Sequence, residues 1–248
     1  MVSIIMLSYN AIEYTKHSLK TLRDNTKNIQ YEIIVLDNNS NVKTKDELKK
    51  LKEEGYIDKL IFEKENTLFA KGNNIASSYC SDKSEYILLL NSDVEIRNPK
   101  WLELLISNYK KGAIAYGVCI ANPHTRADGY CFLIDKDLYK KYKLDEKFEW
   151  WWSVTKLQAQ LLRDGYNVSA ISNHNDILYH YGGMSGKSWK NAKGMEIEGE
   201  QVSKWFHGNI VNIIHELPIN KNENRKYLLF NLYHFINKNC NKIINFRR

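Results

Sequence analysis

The segment Tyr86-Ile87-Leu88-Leu89-Leu90-Asn91-Ser92-Asp93-Val94 constrains the chain more than any other. Its apolar run is short and bounded by polar residues, so it reads as a strand buried on both faces, as strands of parallel sheets are. The run ends abruptly in Asn91, Ser92 and Asp93, three side chains that can bind a ligand. In an open α/β sheet, ligands bind beyond the carboxyl ends of the strands, which places Asp93 to hold a metal or a nucleotide. The same residue types are the usual occupants of turns and helix caps, and alone they do not decide between the two readings.

The pattern repeats upstream. Residues 2–7 form a strand-length apolar run closed by Ser8-Tyr9-Asn10, after which Ile12, Thr15, Leu19 and Leu22 recur at helical spacing. Residues 31–36 form a second run closed by Asp37-Asn38-Asn39-Ser40. A charged helix is expected over 43–54, with Leu48 and Leu51 inward and Gly55 as its stop, and a shorter strand over 59–63. The polar segment 66–74 leads into a helix expected over 75–80, with Asn73 and Asn74 as candidate caps. Strand alternating with helix predicts an α/β fold, with a mostly parallel central sheet, right-handed crossovers and flanking helices.

A chain of 248 residues suits one such domain with elaborations. Its four cysteines show neither a Cys-x-x-Cys spacing nor a Cys/His ligand pattern, which argues against a disulfide scaffold or zinc site and fits a reducing cytoplasm. Met1 runs straight into the first strand with no basic leader, so no signal peptide is read. No apolar stretch reaches the ~18 residues needed to cross a bilayer. The formal charge of +7 suits an anionic ligand, anionic lipid or nucleic acid. Without a helix-turn-helix, zinc-finger or RNP-like signature, nucleic acid is not expected as a partner.

Four segments in order, SIIMLSYN, EIIVLDNNS, NTLFAKGNN and YILLLNSDVEI, resemble the nucleotide-binding half of family 2 glycosyltransferases, in the manner of their rhamnosyltransferase-like subgroup. The resemblance implies the GT-A fold, a Rossmann-like sheet, and a nucleotide-diphosphate sugar, UDP- or dTDP-linked, as donor. It further implies inverting transfer to a hydroxyl acceptor on a glycan, a lipid-linked molecule or a protein, in cell-surface glycan or polysaccharide synthesis. Asp37 would bind the base, with Ser8, Tyr9 and Asn10 lining the same pocket; Asn39, Asn66, Lys71 and Asn74 are further nucleotide-binding candidates. Asp93 matches the last acidic residue of the family's DxD-like motif, the ligand of a Mn2+ or Mg2+ cofactor, and Asn91 and Ser92 stand near the ribose. With a single carboxylate in that motif, the cation would draw other ligands from phosphate and water, as these ions commonly do.

Downstream, a helix is expected over 101–109 and either a strand pair or a strand and turn over 113–121. Asp128-Gly129-Tyr130-Cys131-Phe132-Leu133-Ile134 resembles the family's glycine-containing strand beside the acceptor site, making Gly129 and Tyr130 acceptor candidates. Leu144-Asp145-Glu146-Lys147-Phe148 resembles its FDExF segment. Members then usually carry an aromatic pair, Glu-Asp and a helix ending in Gly-Tyr. Here the helix is expected over 156–164 and closed by Gly165-Tyr166, so Ser153 and Val154 fall where Glu-Asp belongs. Valine cannot take a proton from an acceptor hydroxyl. Glu149 and Asp128 are the nearby replacements as catalytic base. Three readings stay open: a relocated base, a different acceptor chemistry, or a catalytically weak domain that binds nucleotide sugar or a partner.

Trp150-Trp151-Trp152 reads either as core aromatics or as a platform for an acceptor sugar ring, with Trp151 and Trp152 as the acceptor candidates. His180-Tyr181-Gly182-Gly183-Met184-Ser185 resembles the family's late H-x-G-G-x-S segment; His180 would complete the metal shell or contact the pyrophosphate. Lys187, Lys190 and Lys193 follow in a loop suited to an anionic donor, or form a solvated basic face. The expected division is a GT-A domain at 1–194, with a nucleotide-sugar-binding half at 1–100 and an acceptor-side half at 101–194, then a helical, basic and aromatic extension at 195–248. Within the extension a helix is expected over 201–214. Residues 225–248 interleave apolar and basic groups, which suits either peripheral contact with the inner face of a membrane or docking onto protein.

Overall fold

Apolar runs bounded by polar residues become strands here because neighbouring strands and covering helices bury both of their faces. The computed structural model describes residues 1–120, 124–184, 188–217 and 230–235. Strand and helix alternate through β1 (Val2–Ser8), α1 (Ile12–Asn25), β2 (Tyr31–Asp37), α2 (Val42–Glu53), β3 (Lys59–Phe62), α3 (Leu68–Ser77) and β4 (Tyr86–Leu90). Then come β5 (Val94–Ile96), α4 (Trp101–Ser107), β6 (Gly112–Tyr116), β7 (Val118–Cys119), β8 (Arg126–Ala127), β9 (Cys131–Asp135) and α5 (Lys136–Tyr142). The elements α6 (Trp152–Arg163), β10 (Asn167–Ile171), β11 (Leu178–His180), α7 (Gly199–Phe206) and β12 (Asn212–Ile214) complete the compact unit Met1–Pro218. A second unit spans Ile219–Arg248, of which residues 230–235 are described and are helical.

The central sheet has eight strands in the order β12-β10-β6-β9-β4-β1-β2-β3, all pairs parallel except those of β9. This is the mostly parallel, helix-flanked α/β sheet that the sequence predicts. β9 runs backwards because it starts where β4 ends, Cys131 pairing with Leu90, and so can only return across the sheet. That reversal brings residues 128–130 to the edge where β1, β2 and β4 terminate. The central strands are dry: Ile4, Ile5, Met6, Ile33, Ile34, Val35 and Leu88 are fully buried.

Local signals fix some boundaries well. Asn41 Oδ1 accepts the Thr44 N–H at 2.9 Å to cap α2, Leu48 and Leu51 face inward, and Gly55 follows with φ +81°. Three boundaries differ from expectation. α3 starts at Leu68, so Asn73 and Asn74 lie inside the helix and are not caps. α6 starts at Trp152 and reaches Arg163, taking in residues 152–155. The helix expected over 201–214 ends at Phe206, where His207 and Gly208 turn left-handed (φ +49° and +79°), and Asn212–Ile214 joins the sheet beside β10 instead.

Gly112 opens β6 with φ +144°, and a Cβ there would lie 1.9 Å from the Asn167 carbonyl oxygen on the paired strand; at Gly55 a Cβ would meet nothing. Gly112→Ala is therefore expected to destabilise the protein by more than about 2 kcal/mol, against about 1 kcal/mol for Gly55→Ala, in urea unfolding.

At the far end of β2, burial works against the Glu32 charge, but Ser3 Oγ (2.6 Å), the Ser81 N–H (2.6 Å) and Lys59 Nζ (2.9 Å) hold its carboxyl below the usual range. A carboxyl depressed in the folded state adds stability above its unfolded value, about pH 4.3, and that stability is lost as pH falls through the folded value. Glu32→Gln is expected to cost about 1–3 kcal/mol at pH 7, with the gap from wild type closing toward pH 3 in the same assay.

Candidate active site

Successive residues of a strand face opposite sides, and this decides which polar residues at the sheet's carboxyl edge meet ligand. A cavity of ≈ 300 Å³ opens there, lined in part by Leu7, Tyr9, Asn38, Asn66, Leu68, Phe69 and Asn73. Leu7 and Tyr9 face it, while Ser8 between them is fully buried. Likewise Asn38 faces it and Asp37 does not. Ser8 and Asp37 pair in register, and Ser8 Oγ and Asp37 Oδ1 are buried without a hydrogen-bond partner. Asp37 Oδ2 accepts the Ser40 N–H at 3.0 Å, and burial pushes the carboxyl up. Asp37, expected at the base, is not among the wall residues; the wall residue is Asn38, whose amide is tied to Thr67 (Oγ1, 2.6 Å) and to the Leu68 carbonyl (3.2 Å).

Several other nucleotide-binding candidates do not line the cavity. Asn10, at φ +54°, joins two loops by donating its N–H to Ser40 Oγ (3.0 Å) and accepting the Asn41 N–H (2.8 Å). Asn39 accepts from Lys45, and Lys71 pairs with Glu65 at 2.9 Å, both in exposed positions. Asn74 is buried, donating to the Leu144 carbonyl and Glu146 (both 2.9 Å) and accepting from Tyr139 and the Leu144 N–H (both 3.1 Å). Its four bonds are spent inside the protein.

The wall also includes Leu90, Asn91, Ser92, Asp93, His180 and Gly183. Asp93 is buried; its Oδ1 lies 3.2 Å from His180 Nε2, and its Oδ2 accepts the Met184 N–H at 3.2 Å. Burial favours the neutral acid, but the hydrogen bond and charge of His180, with the Met184 N–H, outweigh it and hold Asp93 below the usual carboxylate range. His180 also stacks on Tyr130 with ring centroids 4.2 Å apart. Burial pushes the His174 imidazole down, so it is neutral; its Nδ1–H donates to the Ser172 carbonyl at 2.6 Å, leaving Nε2 to accept the Tyr130 hydroxyl. Behind Asp93, the buried Glu95 is bonded to His17 (2.7 Å), Tyr181 (2.5 Å) and Arg97 (2.7 Å), which fastens β5 to α1 and β11.

The lining is completed by Asp128, Gly129, Tyr130, Trp150, Trp151 and Val154. Trp151 stands at the rim, 39% exposed. Trp152 does not line the cavity: it donates Nε1–H to the Met195 carbonyl at 3.1 Å under the Arg126 guanidinium. Glu149 is also off the wall, its carboxylate accepting the Lys193 N–H at 2.6 Å and its carbonyl accepting the Phe69 and Ala70 N–H groups that open α3. Val154 does face the cavity, and a Cβ on Gly129 would come within 3.1 Å of it. Lys190 and Lys193 are exposed, whereas Ser185 and Lys187 lie outside the described residues. Sequence reasoning missed Leu7, Asn38, Phe69, Asn73 and Trp150 as wall residues. Strand parity signals the first two; the others depend on where α3 and α6 begin.

The family model for glycosyl transferase family 2 matches residues 3–175, well over half of the chain. The chain belongs to glycosyl transferase family 2. Among solved structures, this family 2 chain is similar to TarS 1–349 of S. aureus, with a TM-score of 0.57 and 15% identity, covering 83% of this chain and 69% of that one. It is similar also to the mannosyltransferase PcManGT of Pyrobaculum calidifontis, at TM-score 0.57 and 16% identity over 71% of this chain and 55% of that one. Longer TarS is covered to 44% of its length. These likenesses place the sheet in the GT-A fold. No curated protein matches the chain.

Because Asn74 bonds α3 to the 144–146 loop instead of facing the cavity, Asn74→Ala is expected to cost about 2–4 kcal/mol in urea unfolding. Nucleotide affinity, read by calorimetry under folding conditions, is expected to stay at its wild-type value.

Proposed function

We propose that the cavity transfers a sugar from a nucleoside-diphosphate donor to an acceptor hydroxyl. The observation that carries this reading is the buried Asp93–His180 pair on the cavity wall, at the carboxyl edge of a family 2 sheet. Among the described residues, no group of three or more His, Cys, Asp or Glu gathers to hold a metal, so the chain offers two donors and a diphosphate would supply others. An anionic carboxylate beside an imidazole fits a divalent cation of the Mn2+ or Mg2+ kind, the nitrogen favouring Mn2+. Such a cation, when bound, neutralises charge on the departing diphosphate. The similar structures support the reading: TarS 1–349 is described in complex with UDP-GlcNAc, and PcManGT with GDP-Man and Mn2+.

In finer terms the donor is a UDP- or dTDP-sugar, with a deoxyhexose such as rhamnose among the candidates, and transfer inverts the anomeric centre. The acceptor, a glycan, lipid-linked molecule or protein, enters at the Trp151 rim. The product belongs to cell-surface glycan or polysaccharide, made in the cytoplasm, with residues 225–248 offering peripheral membrane contact. Among the described residues no helix is long and apolar enough to cross a membrane. One observation favours a second reading, a donor-binding domain with weak transfer: Val154 faces the cavity where the family carries a carboxylate.

The test is release of nucleotide from a panel of nucleotide sugars with Mn2+ or Mg2+. Release from one donor is expected, falling at least about 10²-fold in Asp93→Ala and on addition of EDTA. Binding without release to any acceptor selects the second reading, and no binding of any nucleotide sugar overturns both.

A further inference from the structure

A hydroxyl that attacks a sugar must lose its proton as the new bond forms, and at neutral pH this calls for a base in contact with the hydroxyl. On the cavity wall the position on α6 that would supply one is Val154, which is buried and carries no ionisable group. The groups on the described wall able to take a proton are Asp93, His180 and Asp128. Asp93 and His180 are committed to each other at 3.2 Å, and Asp93 also to the Met184 N–H. Glu149, the other nearby carboxylate, is off the wall and bonded to the Lys193 N–H.

Asp128 is arranged differently. Its N–H donates to the Gly117 carbonyl at 2.9 Å, which anchors the residue to the bend after β6. Its Oδ1 accepts the Gly129 N–H at 2.7 Å, which sets the plane of the carboxylate, and Oδ2 has no hydrogen-bond partner among the described residues. One oxygen is therefore held and the other is uncommitted, on the wall shared with Trp150, Trp151 and Val154. Asp128 and Val154 line the same cavity, and Gly129, next to Asp128 in sequence, is the residue whose Cβ would fall 3.1 Å from Val154.

We propose that Asp128 is the general base of this site, replacing the one absent at Val154; the proposal rests on the glycosyl-transfer reading above. The acceptor O–H proton passes to Asp128 Oδ2 while the acceptor oxygen bonds to the anomeric carbon. The bond from that carbon to the β-phosphate oxygen breaks, and its electron pair leaves with the nucleoside diphosphate. The valine thus marks a change in the base's address, not the loss of transfer.

The experiment compares wild type, Asp128→Asn and Asp128→Ala, using the donor that wild type turns over, with and without added sodium formate. The expected result is a kcat about 10²- to 10⁴-fold lower in both variants, with unchanged affinity for the nucleoside diphosphate. Formate, a carboxylate small enough for the vacated space, is expected to raise the rate of Asp128→Ala alone by at least about tenfold. Wild-type kcat in Asp128→Asn, or a loss in Asp128→Ala that formate does not relieve, overturns the proposal. A wild type that binds no nucleotide sugar overturns the glycosyl-transfer reading itself; turnover by wild type with an unaffected Asp128→Asn overturns only the base.

Discussion

A buried carboxylate must be compensated, and the way Asp93 is compensated organises the site. Its partner His180 comes from the end of β11, held opposite Val94 by the β5–β11 ribbon. That ribbon is fastened in turn by Glu95, which gathers His17 from α1, Tyr181 from beyond β11 and Arg97. Two neighbouring buried carboxylates thus join the segment after β4 and helix α1 to the chain's late segment. Removing one partner of such a pair leaves an uncompensated buried charge, which typically costs about 3–5 kcal/mol. The cavity wall is therefore fixed by electrostatic necessity as well as packing, and the chemistry proposed for Asp93 uses a charge the fold already has to hold.

The strands β1, β2 and β4 were legible because burial on both faces demands near-continuous apolar runs, and α2 because Leu48, Leu51 and the stop at Gly55 are local signals. What was not legible depends on distant partners. The first N–H groups of α3, at Phe69 and Ala70, are taken by the Glu149 carbonyl, so the start of that helix is set far along the chain and no nearby residue announces it. Residues 212–214 become a strand only because β10 offers an edge to pair with, after His207 and Gly208 have stopped the helix.

The site was legible to the level of the polar clusters but not of the single residue. In β1, Ile5 and Leu7 pack on one face, and Tyr9 continues that parity into the cavity; in β2, Ile34 and Leu36 lead to Asn38 in the same way. Applying that alternation to Asp37 would have turned it inward. The family motif drew attention to the acidic residue, while strand geometry favoured its amide neighbour. An amide both donates and accepts, but here both ends of Asn38 are spent on α3's first residues, so its role is to shape the wall.

Val154 stands where the motif resemblance would place a carboxylate, and its surroundings bear on how that position is read. Val154 lines the cavity at the start of α6, and a Cβ on Gly129 would fall 3.1 Å from one of its methyl groups, so the neighbouring position on the 128–130 turn suits glycine. The 128–130 turn runs beside this valine, and within the turn the Gly129 N–H donates to Asp128 Oδ1. Packing at one position and chemistry at the next are then parts of a single arrangement. A chain that had lost its base without such an arrangement would be expected to fill the wall with apolar groups throughout. This one keeps a carboxylate with an uncommitted oxygen there, among the described residues.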